Sequence, residues 1–145
     1  MLPRRPQNPD RLPPLLAAAT KILVGEVGVR WADLFGSAAE GRAFRDLDLA
    51  VMADSELARR GLWLGRLAAL LEEALAGVPL DLVDLAAAAP ALRAAVVYQG
   101  RLLVDRTPME RQRWELETVQ RWLDLEPWLA RGERLRLQAL AQRRP

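Results

Sequence analysis

Two aspartates separated by one residue, Asp46 and Asp48, begin the apolar run Leu47 to Met52, and an earlier apolar run ends shortly before them in Gly36-Ser37. Side chains alternate across a strand, so Asp46 and Asp48 share one face while Leu47 and Leu49 take the other. Neighbouring carboxylates on one strand face repel each other unless a cation sits between them, and a hard divalent ion such as Mg²⁺ suits oxygen ligands best. The pattern therefore calls for a sheet with a candidate metal site at the start of one strand.

What the chain lacks narrows its chemistry further. It has no cysteine and no histidine, which removes thiol nucleophiles, thiolate or imidazole zinc sites and every Ser-His or Cys-His mechanism. Few hydroxyls remain, among them Ser37, Thr107, Thr118 and the single Tyr98. Any catalysis must rest on carboxylates and metal ions. The length of 145 residues fits one domain with a real core. No apolar run approaches the roughly 18 residues that span a bilayer. The basic N-terminus has no apolar stretch behind it, so it reads as a frayed lead-in rather than a secretory signal, and the protein is expected in the cytoplasm. Arginine supplies all but one of the 21 basic residues, yet the net charge is only +2, which is weak evidence for nucleic-acid binding.

Periodicity and punctuation predict the element order. Pro13-Pro14 open a helix that Gly25 stops. Val29 to Phe35 is a strand, and Ser37 with Glu40 three residues on has the capping-box pattern of a short helical turn. Leu47 to Met52 is a second strand. Ser55 caps a long helix over about Glu56 to Leu75, which Gly77-Val78-Pro79 ends. Leu80 to Leu85 is a third strand, Pro90 starts a helix closed by Gly100, and Arg101 to Asp105 is a fourth strand. Thr107-Pro108 caps a helix to about Leu125, Pro127 interrupts it, and a last helix follows. The reading is an α/β (α+β) domain with a small mixed sheet flanked by helices. It divides into a lead-in over 1–11, a core over 12–105 and a C-terminal helical extension over 106–145 that packs on the core or on a partner. Trp114, Trp122 and Trp128 with Leu116, Val119, Leu123 and Leu129 read first as a core stripe, although indole is also enriched at interfaces. Tyr98 reads as core.

A two-metal site needs a third acid. Asp81 and Asp84 are the candidates, and with period two they face opposite sides, so at most one joins Asp46 and Asp48. Asp81 lies between Leu80 and Leu82, where a buried acid needs a counter-charge that a metal would supply. Asp81 is the first choice and Asp84 the reserve.

Leu34-Phe-Gly-Ser37, then Asp46-Leu-Asp-Leu-Ala-Val51, then Val78-Pro-Leu-Asp-Leu-Val-Asp-Leu85 resembles the minimal nucleotidyltransferases of the DNA polymerase β superfamily. From about Leu12 to Arg131 the chain further resembles the antitoxin of HEPN–MNT type VII toxin–antitoxin pairs, through Ala89 to Arg93, Gln99 to Val104, Met109 to Trp114 and Trp122 to Pro127. The resemblance implies a polymerase β-type nucleotidyltransferase fold. It also implies that Gly36 and Ser37 contact the triphosphate of ATP and that Asp46, Asp48 and Asp81 hold two Mg²⁺ ions. The reaction would be AMP transfer to a tyrosine of a HEPN ribonuclease toxin, in a homo- or hetero-oligomer.

The chain departs from the family pattern in one place. The family has about ten residues between Gly-Ser and the first aspartate, commonly with a serine before it, and loops of this kind tolerate length changes. Here eight residues intervene and Arg45 precedes Asp46. The alternative that follows is a catalytically decayed antitoxin that neutralises its partner by binding alone.

Overall fold

The computed structural model describes residues 4–142. The chain forms α1 (Leu12–Gly25), β1 (Val29–Phe35), α2 (Gly36–Ala39), β2 (Leu47–Ala53), α3 (Ser55–Arg59), α4 (Trp63–Ala74), β3 (Leu80–Asp84), α5 (Pro90–Gln99), β4 (Arg101–Asp105) and α6 (Pro108–Gln142). The four strands make one mixed sheet in the order β3-β2-β1-β4. β1 pairs antiparallel with both β2 and β4, and β2 pairs parallel with β3. A parallel neighbour requires a crossover, and α3 and α4 provide it.

Alternation sorts the two faces. Leu47, Leu49 and Val51 of β2 and Ala32 and Leu34 of β1 meet Leu15, Ala19 and Leu23 of α1 and Trp63, Leu67 and Leu71 of α4 in the larger core. Ala50 and Met52 of β2 and Trp31 of β1 face the other way, toward Val96 of α5 and Trp114 of α6. Val29 and Trp31 have the same parity yet serve different cores. A register shift between them, a β-bulge, reverses the side-chain direction. Trp31 and Trp114 stack tilted with centroids 5.7 Å apart, which ties α6 to the sheet.

Several expectations need correction. Of the expected lead-in over 1–11, residues 1–3 lie outside the described residues, while Gln7 bridges to Phe44 and Pro9–Arg11 is a 3-10 turn capped by Asn8. The long helix after β2 is two helices, because the chain turns at Arg60–Leu62 with Leu62 at φ 64°. The cap is Asp54, whose carboxylate accepts from Leu57 N–H at 2.7 Å, not Ser55. Ser37 does not cap α2 either, since Phe35 holds that position without a side-chain bond. Thr107 precedes α6, but its hydroxyl is buried without a partner.

Pro127 does not end α6, a helix of 35 residues that runs through it to Gln142. Proline removes one amide donor, and the carbonyl it leaves unpaired is that of the exposed Leu123, where water can reach. Trp128, Leu129, Leu123 and Leu116 are exposed rather than core, and Tyr98 is 58% exposed. No helix among the described residues is long and apolar enough to cross a membrane.

Candidate active site

β1 delivers the chain to Gly36 at one edge of the sheet, where φ is +72°. A Cβ on Gly36 would lie 2.1 Å from Asp48 Oδ2, so only glycine lets the backbone come this close to that carboxylate. Ser37 follows in the first turn of α2 and is partly buried. The eight-residue connection from Ser37 to Asp46 thus still leaves Gly36 packed on Asp48.

Asp48 sits between two neighbours in the sheet. Phe35 of β1 is its antiparallel partner and Asp81 of β3 its parallel partner. Residues opposite each other in a ladder point to the same face, so Asp48 and Asp81 share the face that Ala50 and Val83 continue. Asp46 stands two residues before Asp48. The Asp48 carboxyl is pushed up to about 6, first by burial and then by the negative charges of Asp46 and Asp81.

Asp84 pairs in register with Val51, whose side chain enters the opposite core, and its carboxylate accepts from Ala86 N–H at 3.0 Å. Asp84 is therefore the last residue of β3, on the opposite face from Asp81, and does not join the group. Asp81 is exposed, not buried between its leucines as expected; the carboxylate that burial perturbs is that of Asp48.

Asp46 already has a cationic partner that the sequence did not reveal. Arg4 Nη1 donates to Asp46 Oδ2 at 2.8 Å. Among the described residues, no three Asp, Glu, His or Cys side chains stand ready as a metal cluster. The donor types would nevertheless suit a hard cation: the Asp48 carboxyl is held against its ionised form by burial and then by the charges of Asp46 and Asp81, and a glycine leaves room beside it.

A second group of charges lies on the same sheet face and escaped sequence reading. Asp33 of β1 is 7% exposed, and its carboxyl is raised to about 6 by burial and by Glu115 and Asp105, against the lowering effect of Arg111. Arg111 of α6 bonds Asp105 through Nε at 2.9 Å and Glu115 through Nη1 at 2.7 Å. The only sequence signal was an aspartate inside the apolar strand Trp31-Ala-Asp-Leu-Phe35. Elsewhere, a cavity of about 400 Å³ opens between α5 and α6, lined by Pro90, Arg93, Thr118, Arg121, Asp124 and Leu125, and none of the candidate carboxylates reaches it.

A mixed sheet with two acids opening one strand, a third in register beside it and a glycine turn against them defines a nucleotidyltransferase of the polymerase β type. The chain belongs to that family: residues 18–109 match the family model described as polymerase beta, nucleotidyltransferase. Comparison with curated protein sequences gives no match.

Solved structures extend the likeness over nearly the whole fold. A toxin–antitoxin structure with AMP-PNP is similar at 27% identity and a TM-score of 0.65, covering 88% of this chain and 98% of that one. A tri-AMPylated Shewanella oneidensis HEPN toxin in complex with its MNT antitoxin is similar at 26% identity and a TM-score of 0.61, with the same shares covered. A mutant of an MntA toxin–antitoxin complex is similar at 25% identity and a TM-score of 0.66, again over 88% and 98%.

Proposed function

We propose that this protein is a Mg²⁺-dependent nucleotidyltransferase that moves AMP from ATP to a tyrosine hydroxyl of a HEPN ribonuclease toxin and thereby acts as its antitoxin. The observation that carries the reading is the registry of Asp48 with Asp81 beside Gly36, with Asp46 two residues away. The solved relatives, which include an AMP-PNP structure and a tri-AMPylated HEPN toxin, support the nucleotide and the acceptor class.

Asp46 and Asp48 would each hold a cation, and Asp81 would complete the second set of ligands. When bound, two Mg²⁺ ions supply the charge neutralisation that phosphoryl transfer requires. Asp48 would serve as a ligand in its carboxylate form, since only the carboxylate coordinates. Gly36 lets the backbone approach the phosphates, and the Ser37 hydroxyl donates a hydrogen bond to a phosphate oxygen. The tyrosine oxygen then forms a bond to the α-phosphorus as the bond to the bridging oxygen breaks. Pyrophosphate leaves, and the hydroxyl proton passes to solvent. These residues contribute position and charge, which are most of the catalysis in such a transfer.

Mass spectrometry of the toxin co-expressed with this chain tests the reading. We expect AMP on a toxin tyrosine with the natural sequence and unmodified toxin with Asp46→Asn. An unmodified toxin that is still neutralised by the natural chain would instead support binding alone. One observation favours that second reading: beyond α5, α6 exposes Trp128, Leu129, Leu135, Leu137 and Leu140, a surface suited to covering a partner.

A further inference from the structure

Residues 4–8 form a strap beside the carboxylate edge of the sheet. Gln7 N–H donates to the Phe44 carbonyl at 2.6 Å, and Phe44 N–H donates back to the Gln7 carbonyl at 3.3 Å. Phe44 is buried and stands two residues before Asp46, so the strap hangs from a fixed point next to the site. Directly after Gln7, Asn8 caps the 3-10 turn, its side chain accepting from Asp10 N–H at 2.9 Å. Three residues before Gln7, Arg4 reaches Asp46 Oδ2.

We propose that Arg4 is a built-in counter-cation of the site: its guanidinium holds a coordinating oxygen of Asp46, and the strap must release that oxygen before a divalent cation can take it. This rests on Asp46 being a metal ligand. Of the three candidate ligands, Asp46 is the one whose carboxylate is paired with a guanidinium among the described residues.

The device is reversible. Arg4 and Asp46 have side chains 47% and 34% exposed, and exposed ion pairs exchange readily. The backbone bonds at Gln7 keep Arg4 local when it lets go, so it returns as an intramolecular competitor whose effective concentration is set by a three-residue tether. The strap thereby lowers the apparent affinity of the site for a divalent cation by a few-fold.

Titration of the full chain with Mn²⁺ alone, following free Mn²⁺ by electron paramagnetic resonance at low ionic strength, tests the proposal. We expect Arg4→Ala to bind Mn²⁺ about two- to fivefold tighter than the natural chain, the range an exposed pair allows. Arg4→Lys keeps the charge and should stay near the natural affinity, whereas Asp46→Asn should bind at least about tenfold more weakly. Added salt should narrow the gap between the natural chain and Arg4→Ala, because it screens the pair. Gln7→Pro, which removes the amide that holds the strap to Phe44, should tighten Mn²⁺ binding in the same direction. Equal affinities for the natural chain and Arg4→Ala, with both binding, overturn the strap and leave the metal site standing. Failure of every variant, including the natural chain, to bind Mn²⁺ overturns both.

Discussion

Asp48 and Asp81 lie directly across from each other in the parallel pair of β2 and β3, and Gly36 presses its backbone against the Asp48 carboxylate from the end of β1. Three strands thus bring a glycine turn and two acids to one edge, and Asp46 adds a third from the residue before β2. The sheet order fixes this: β2 sits between β1 and β3, so the residues that open it have neighbours on both sides.

Gly36→Ala should damage both the fold and the site. Its φ of +72° disfavours any side chain, and the new Cβ would meet Asp48 Oδ2 at 2.1 Å. We expect a loss of stability of about 1–2 kcal/mol in urea unfolding. Transfer activity should fall further than stability does, because the Asp48 carboxylate must move.

Asp33 should make stability pH-dependent. Its folded-state carboxyl titrates near 6 against an ordinary value of 3.8, so the folded chain holds the proton more tightly than the unfolded one. The stabilisation this gives is complete below about 3.8 and is lost as pH rises through 6. Asp33→Asn removes that loss. Denaturant midpoints should show the variant gaining on the natural chain from pH 4 to pH 7.5, by on the order of 2 kcal/mol. A constant difference across that range would contradict the assignment.

Arg111 is the sole guanidinium bonded to Asp105 and Glu115 among the described residues, and its side chain is 15% exposed. Arg111→Met keeps the volume and leaves two carboxylates beside Asp33 without their partner. Breaking a pair this shielded should cost about 2–4 kcal/mol. Because Arg111 opposes the rise in Asp33, the variant should also destabilise more steeply with rising pH.

Trp128 is 67% exposed, and the Arg131 guanidinium lies over its ring at 5.3 Å. Trp128→Ser should change stability by less than about 0.5 kcal/mol. If this part of α6 covers the toxin, calorimetric titration with the toxin should show a loss of 2 kcal/mol or more, roughly the hot-spot scale.

The strands were legible because they rest on short-range rules. Alternation separated Asp81 from Asp84, and β1 and β4 have the boundaries their apolar runs gave, but Asp46 lies in a bend before β2, where strand alternation does not reach. What was illegible depended on distant partners. Nothing near Arg4 in sequence points to Asp46, 42 residues away. The break at Leu62 needs a left-handed residue that leucine rarely adopts, and it is set by the burial of both Leu57 and Trp63 in the larger core. The continuous α6 overrides a proline because its break falls on an exposed face. Asp33 looked like one polar residue in a strand until α6 brought Arg111 and Glu115 over it.

The most direct measurement compares two acids three residues apart on β3. Initial rates of label transfer from [α-³²P]ATP to the toxin, with Mg²⁺ present, should fall at least about a hundredfold in Asp81→Asn and stay within about threefold of the natural chain in Asp84→Asn. Equal loss in both variants, or full activity in Asp81→Asn, would contradict a site built on the registry of Asp81 with Asp48.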